Sequence, residues 1–147
     1  LTQRRWWVEM LERKSTWDLD EKEINLFHRA VETDDHSGTL KDVSDAVFTG
    51  ELQLWVWKTD DSLILMITSV GSHRDGHKEM TVAMLAGSGL MEIQPEVAEG
   101  MRKEAENMGC DSMIAYVKPH LSEKFGAGNS GSFLNMTKSY VVFELGV

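Results

Sequence analysis

The stretch Gly87-Ser88-Gly89 stands where proteins often hold a phosphate group. It ends the apolar run 79–87, which predicts a β-strand, and it comes shortly before a predicted helix at 95–108. Backbone N–H groups at such a turn, together with the positive end of the helix, can bind an anion. Glycines also suit a plain reversal of the chain, so a phosphate cradle and a simple turn are both open.

Two histidines, His73 and His77, lie four residues apart in the loop "GSHRDGH" (71–77), with Asp75 between them. Imidazole and carboxylate groups are zinc ligands, but a zinc site needs at least three of them in a fixed arrangement. The sequence offers no third strong ligand at a fixed spacing, so it predicts no metal site in this loop.

Composition limits the classes of function. The 147 residues suit one domain, and the formal net charge of −9 argues against a nucleic acid or an anionic membrane as partner. Cys110 is the only cysteine, which excludes an intramolecular disulfide and fits a reducing compartment. We predict that Cys110 is buried and inert. No apolar run approaches the ~20 residues of a membrane span, and no signal peptide is recognised, so a cytosolic protein is expected.

The apolar pattern predicts the elements that position these residues. Helices are predicted at 3–14, 20–33, 39–50 and 95–108, with a strand over Trp6–Leu11 as the alternative to the first. The second helix is predicted to bury the stripe of Ile24, Phe27, His28 and Val31. Strands are predicted at 51–57, 63–70, 79–87, 111–117 and 138–145. A βαβ crossover after an antiparallel meander predicts a mixed α/β sheet with helices on both faces.

This order of elements resembles the GNAT superfamily of acyl-CoA N-acyltransferases, and more narrowly the small GNAT-like proteins encoded by tailed phages. Three stretches carry the resemblance: "TLKDVSDAVFTGELQLWVW" (39–57), "TVAMLAGSGL" (81–90) with its helix up to "MGCDSMIAYVKP" (108–119), and "SYVVFEL" (139–145). The similarity spans residues 20–147 and implies a GNAT-like fold.

The resemblance also implies where a cofactor would lie. In the family, the last strand of the meander and the strand after the helix splay apart, and the pantetheine arm of acetyl-CoA pairs with exposed backbone there. Carried over, that edge is Met84, Leu85 and Ala86. The pyrophosphate would lie on the amides of Gly87, Ser88 and Gly89. Glu79 stands where a general base of the family is found, although a plain strand-end carboxylate is the alternative.

Departures from the family pattern weaken the case for a cofactor. At the place of the family's glycine-containing phosphate signature this sequence reads "EIQPE" (92–96), where Glu92 and Glu96 would repel a phosphate. No Arg or Lys stands beside the turn in the sequence. The tyrosine that many members use as general acid is missing from "HLSEKFGAG" (120–128), and Tyr116 is predicted inside a strand. These losses favour a simple turn at Gly87-Ser88-Gly89.

Two functions of different classes follow. The first is a catalytically degenerate phage-type protein without a cofactor, which binds other virion or assembly proteins, or further copies of itself, in the host cytoplasm or the virion. The alternative is an acetyl-CoA-dependent N-acetyltransferase acting on an amine, with Glu79 or a water molecule as base.

The amino-terminal residues 1–19 are predicted to form a separate helical segment or arm before the domain at 20–147. Trp6 and Trp7 lie there beside Arg4 and Arg5, and Trp and Arg are the residues that most often anchor protein interfaces. We therefore predict that Trp6 and Trp7 are interaction residues, with packing against the domain's own core as the alternative.

Overall fold

The computed structural model of the chain describes six stretches of residues. They are 10–32, 38–60, 62–88, 95–117, 132–136 and 141–146. The helices in them are α1 (Glu21–Glu32), α2 (Leu40–Thr49) and α3 (Pro95–Asn107). The strands are β1 (Leu11–Lys14), β2 (Leu52–Lys58), β3 (Leu63–Ser72), β4 (Lys78–Ser88), β5 (Ser112–Val117), β6 (Ser132–Met136) and β7 (Val141–Gly146). A short 3-10 helix, Thr16–Asp18, links β1 to α1.

The described strands form one sheet in the order β1-β2-β3-β4-β5-β7-β6. All neighbours are antiparallel except β4 and β5, which run parallel and are connected through α3. The hairpin predicted within 51–70, the antiparallel third strand and its parallel neighbour are therefore confirmed. The mixed α/β sheet predicted from the meander and the crossover is the observed architecture.

Helices cover both faces of the sheet, as predicted. On one face α3 packs its buried residues Val97, Met101 and Ala105 against a cluster that includes Trp55 and Trp57 of β2. On the other face α1 and α2 pack against a cluster that includes Leu54, Val56, Leu65 and Ile67. Successive side chains of a strand point to opposite faces, and this alternation divides β2 between the two clusters.

A reciprocal cap begins α1. The Oδ1 atom of Asp20 accepts a hydrogen bond from the Glu23 backbone N–H at 2.9 Å, and the Glu23 Oε1 atom accepts one from the Asp20 backbone N–H at 2.9 Å. This exchange satisfies backbone donors that a helix start leaves unpaired. The first hydrogen bond keeps the pKa of Asp20 below its ordinary value.

The buried face of α1 differs from the predicted stripe. The residues that it buries are Glu23, Leu26, Phe27, Ala30 and Val31. Phe27 and Val31 are therefore predicted correctly, whereas Ile24 and His28 are exposed. The buried face is centred on Leu26, Phe27, Ala30 and Val31, which recur at helical spacing, and this orientation places the Glu23 carboxylate inward, where it pairs with Lys14 of β1.

The caps predicted for the two ends of α2 are both present. The Oγ1 atom of Thr39 accepts from the Asp42 N–H at 3.2 Å, while the Oδ2 atom of Asp42 accepts from the Thr39 N–H at 3.0 Å. Gly50 ends the helix in the left-handed region at φ 86°, where a residue with a Cβ atom is strained.

Residues 11–14 correct the end of the helix predicted at 3–14, whereas Met10 before them is helical. They form the edge strand β1, in which Leu11 pairs with Trp57 and is buried in the core on the α3 face. Trp6 and Trp7 lie outside the described residues. The same holds for all residues before Met10 of the strand that is the alternative prediction over Trp6–Leu11. The interaction role of Trp6 and Trp7 and the boundary between residues 19 and 20 stay predictions.

The carboxyl-terminal part contains a strand that the sequence pattern did not predict. Ser132–Met136 forms β6, which pairs with β7, whereas 126–132 was predicted to be a connection. The final strand predicted at 138–145 corresponds to β7. The short helix predicted within 118–125 lies outside the described residues. Among the described helices, none has the length and apolar character needed to span a membrane.

Candidate active site

The two parallel strands at the centre of the sheet separate part-way along their length. Residues Glu79–Val82 of β4 pair with Ser112–Ala115 of β5, and the described pairing stops there. Strand β4 continues to Ser88 with β3 on its other side. Within the described part of the chain, the β5-facing edge of β4 is therefore open from Ala83 onward. This opening contains Met84, Leu85 and Ala86, the residues that the family resemblance assigns to the pantetheine arm.

A β-bulge lies where the opening begins. Opposite the adjacent residues Ile67 and Thr68 of β3 stand Met84 and Val82 of β4, so Ala83 is the extra residue. A bulge reverses the direction of the side chains that follow it. Before the bulge, Val82 packs on the α3 face, and after it Met84 packs on the face of α1 and α2. The bulge thereby turns the backbone of β4 at the mouth of the opening.

The end of β4 carries a cation that the sequence did not place there. The Nη2 atom of Arg29, on α1, donates a hydrogen bond to the carbonyl oxygen of Gly87 at 2.6 Å. Both groups are exposed. The expectation that no Arg or Lys stands beside the turn holds for the sequence neighbours of Gly87 but is wrong in space. Ser88 ends β4, and Gly89 lies outside the described residues.

Glu79 belongs to a polar cluster at the start of β4. The Oγ atom of Ser112, on β5, donates to the Glu79 Oε2 atom at 3.3 Å. The Nε2 atom of His73 lies 3.5 Å from the Glu79 Oε1 atom, and the Nε2 atom of His77 lies 2.7 Å from the Ser112 Oγ atom. The Glu79 side chain is 18% exposed. A carboxylate next to two imidazoles can accept a proton from a bound amine.

The position of Glu79 relative to the opening limits what this carboxylate can reach. Ala83 is four positions further along β4, about 13 Å from Glu79 in an extended strand. The side chains of Glu79 and Ala83 share a face of β4 because residues two apart on a strand point the same way. At this distance Glu79 would reach a group at the mouth of the opening through a chain of water molecules.

The other candidate residues are placed as follows. Cys110 is buried, as predicted, and burial raises the pKa of its thiol. Tyr116 lies within β5, as predicted, opposite Val142 of β7. An exposed aromatic pair, which the sequence did not indicate, is formed by Trp17 and Phe48, whose ring centroids lie 5.5 Å apart. These side chains are 65% and 70% exposed.

Comparison with solved structures identifies the fold. A chain of the NatC complex bound to Gag peptide and CoA matches with a TM-score of 0.55 at 11% identity, covering 94% of this chain and 99% of its own. The N-acetyltransferase PseH of Campylobacter jejuni matches with a TM-score of 0.54 at 13% identity, covering 93% and 98%. Its complex with acetyl coenzyme A gives 0.51 at 15% identity, covering 93% and 99%.

At such identities the similarity establishes the fold alone. The chain has the fold of GNAT-type N-acetyltransferases over nearly its whole length, as its order of elements predicts. No protein-family model matches the sequence, and no curated protein matches it.

Proposed function

We propose that this protein binds an acyl-coenzyme A in the opening between β4 and β5 and transfers the acyl group to an amine. The observation that carries the proposal is the separation of the two parallel strands after Val82 and Ala115. A closed sheet would pair the backbone of β4 along its whole length and leave no edge for a cofactor. An open edge supplies backbone donors and acceptors to a pantetheine arm, which carries amide groups of its own.

Three further observations support acyl-CoA as the ligand. The bulge at Ala83 re-aims the backbone at the point where the reacting thioester would lie. Solved structures of the same fold are described as complexes with CoA and with acetyl coenzyme A. The Arg29 guanidinium beside Gly87 adds a positive charge at the end of β4, where the pyrophosphate would lie.

In this proposal Glu79 is the general base. An amine substrate arrives as an ammonium ion, and its proton passes to the Glu79 carboxylate through a chain of water molecules. The freed lone pair attacks the thioester carbon, the carbon–sulfur bond breaks, and coenzyme A leaves as the thiol with the second proton that the attacking nitrogen gives up. The Ser112 hydroxyl and the His73 imidazole hold the carboxylate in place, since both lie against its oxygens.

Binding and turnover are tested separately. Acetyl-CoA at 100 times its Kd should add about 2.7 kcal/mol to the free energy of unfolding and raise the Tm by roughly 5–10 °C. Release of free coenzyme A thiol is then followed against a set of small amines and peptides. Glu79→Gln should keep the thermal shift and lose most of the turnover, whereas Glu12→Gln, an exposed carboxylate on β1, should change neither. No thermal shift at millimolar acetyl-CoA contradicts the proposal.

A second candidate function is a catalytically inactive GNAT-like protein that acts by binding other proteins. The exposed pair of Trp17 and Phe48 favours it, because large exposed aromatic side chains mark contact surfaces. The partners expected from the phage-type resemblance are virion or assembly proteins, or further copies of this chain. Trp6 and Trp7 are the proposed anchors in the amino-terminal segment.

Self-association measurements test this second candidate. Light scattering of the full chain is compared with the Trp17→Ser/Phe48→Ser double variant and with a chain that lacks residues 1–9. This deletion removes Trp6 and Trp7 but keeps β1, whereas removal of 1–14 would destroy an edge strand. Loss of association in either variant supports the binding function. A monomeric full chain that turns over acetyl-CoA argues against it.

A further inference from the structure

Three metal-ligating side chains converge at the hairpin between β3 and β4. One potential ligand atom each from His73, His77 and Glu79 can be chosen so that all lie within 4.8 Å of one another. Among the residues that the structure describes, no other group of three does so. We propose that these three side chains bind a divalent late transition metal ion, with Zn²⁺ as the best fit. The sequence shows the two histidines, and the fold supplies the third ligand.

The hairpin loop holds the two histidines in place. The backbone N–H of His73 donates to the His77 carbonyl at 2.7 Å, and the Gly76 N–H donates to the His73 carbonyl at 3.0 Å. Gly76 has a φ of +87°, which suits glycine in a tight turn. The Asp75 Oδ1 atom accepts from the His77 N–H at 2.9 Å, so this carboxylate is used by the turn itself.

Strand geometry brings Glu79 to the same place. His77 and Glu79 are two residues apart, so their side chains point to one face of the hairpin. Ser72 pairs with Lys78, which makes His73 the cross-strand neighbour of His77. The imidazole centroids lie 5.4 Å apart. The three ligands therefore converge because of the register of the hairpin.

The distances suit a metal after a small adjustment. Zinc–nitrogen bonds of 2.0–2.1 Å in a tetrahedron separate the ligand atoms by about 3.4 Å. Each atom must therefore move by roughly 1 Å toward the centre, given the present 4.8 Å limit. Rotation of the imidazoles can supply this movement, since the side chains of His73 and His77 are 55% and 37% exposed. A nitrogen–nitrogen–oxygen set leaves a fourth position for water.

Two residues next to the proposed ligands can orient them. The Oδ2 atom of Asp111 lies 4.0 Å from the Nδ1 atom of His77. When the Nε2 atom of His77 binds a metal, the Nδ1–H group faces this carboxylate, an arrangement that orients metal-bound histidines. The Ser112 hydroxyl now contacts both the His77 Nε2 atom and the Glu79 Oε2 atom, so a metal ion bound to these atoms would lie beside it.

Metal binding at this cluster does not depend on acyl transfer. It rests on the three side chains, and metal binding is measured without any acyl-CoA. The two proposals share Glu79, so a bound metal ion would engage the proposed general base and inhibit turnover. If the protein binds the metal but not acetyl-CoA, the metal site is supported and the acyltransferase function is contradicted. If it binds acetyl-CoA but not the metal, the acyltransferase function is supported and the metal site is contradicted.

The experiment uses the untagged full chain, because a histidine tag would itself bind the probe. Zn²⁺ binding is measured by calorimetry, and Co²⁺ serves as a spectroscopic substitute whose visible absorption reports coordination. His73→Ala, His77→Ala and Glu79→Gln remove one ligand each. His28→Ala, His36→Ala and His120→Ala are the matched controls. Thermal melting in the presence of chelator shows that each variant is folded.

We expect one equivalent of Zn²⁺ in the micromolar range and visible Co²⁺ bands in the wild-type chain. Each ligand variant should bind Zn²⁺ roughly tenfold or more weakly, because even substitutions of residues outside the ligand set weaken metal binding by about that factor. The three control variants should bind Zn²⁺ as the wild type does. Glu79→Gln keeps the size of the side chain and therefore gives a result even if a histidine variant does not fold. Absence of uptake, or uptake that the ligand variants do not weaken, overturns the proposal.

Discussion

The Nζ atom of Lys14 lies 3.1 Å from both carboxylate oxygens of Glu23, and this contact joins the edge strand β1 to α1. The Glu23 side chain is 1% exposed and that of Lys14 is 17% exposed. Lys14→Met leaves the buried carboxylate without its cation. We expect a loss of about 3 kcal/mol in the free energy of unfolding, measured by urea denaturation.

An exposed ion pair provides the control for this prediction. Lys41 and Asp45 lie 2.9 Å apart on α2, with side chains 83% and 62% exposed. Water screens such a pair, so Lys41→Met should leave the unfolding midpoint nearly unchanged. Equal effects of the two substitutions would show that the Lys14–Glu23 contact has no special role in attaching β1.

A chain of buried hydrogen bonds crosses β2 and β3. The Nε1 atom of Trp55 donates to the Thr68 Oγ1 atom at 2.9 Å, and that hydroxyl donates to the Gln53 Oε1 atom at 2.8 Å. Thr68→Val keeps the shape and leaves two buried groups unsatisfied, which should cost about 2 kcal/mol or more. The Tm should fall by roughly 4–8 °C in calorimetry. Thr68→Ser retains the hydroxyl, so its Tm should fall clearly less than that of Thr68→Val.

Short-range patterns predicted most of the fold. Helix α2 follows from Thr39, Asp42 and Gly50, whose spacing is that of a capping box and a helix stop. The division of β2 between two cores follows from alternation along the strand. Each of these signals lies within a dozen residues, where the geometry of the backbone alone determines which side chains meet.

The candidate site depends on contacts that such patterns do not contain. Arg29 and Gly87 are 58 residues apart in the chain, and Ser112 reaches Glu79 from a strand 33 residues later. Only the register of the assembled sheet brings these groups together. The strand β1 was mistaken for a helix for a related reason: four residues at a sheet edge are too few to show alternation, and their pairing with β2 determines their structure.

The loss of stability at acid pH should depend in part on Asp42. The Thr39 backbone N–H that donates to this carboxylate keeps its pKa below the ordinary value. Because the pKa is lower in the folded than in the unfolded state, the stabilisation is complete above the ordinary aspartate pKa of about 3.9 and is lost as the pH falls through the folded value. In melting curves from pH 7 to pH 3, Asp42→Asn should show a weaker fall of Tm with acid than wild type, since asparagine can accept the hydrogen bond but does not titrate. An unchanged acid slope would contradict a role for this cap.

Arg29 should contribute to coenzyme A binding through its charge at the end of β4. Its guanidinium is exposed and lies against the Gly87 carbonyl, beside the proposed position of the pyrophosphate. A hydrogen bond to a charged group contributes about 1.5 kcal/mol, so Arg29→Ala should weaken coenzyme A binding roughly tenfold in calorimetry. Affinity for pantetheine, which lacks the phosphates, should change little, because only the phosphates interact strongly with the charge.

Lys22→Ala is the matched control for Arg29→Ala, because it removes an exposed positive charge from the same helix. If the net charge of the protein were the cause, both substitutions would weaken coenzyme A binding equally, and both effects would disappear at high salt. A contact at the end of β4 instead predicts that only Arg29→Ala weakens binding and that Arg29→Lys recovers part of the affinity. Equal losses for coenzyme A and pantetheine in Arg29→Ala would mean that the substitution disturbs the opening itself and would exclude a phosphate contact.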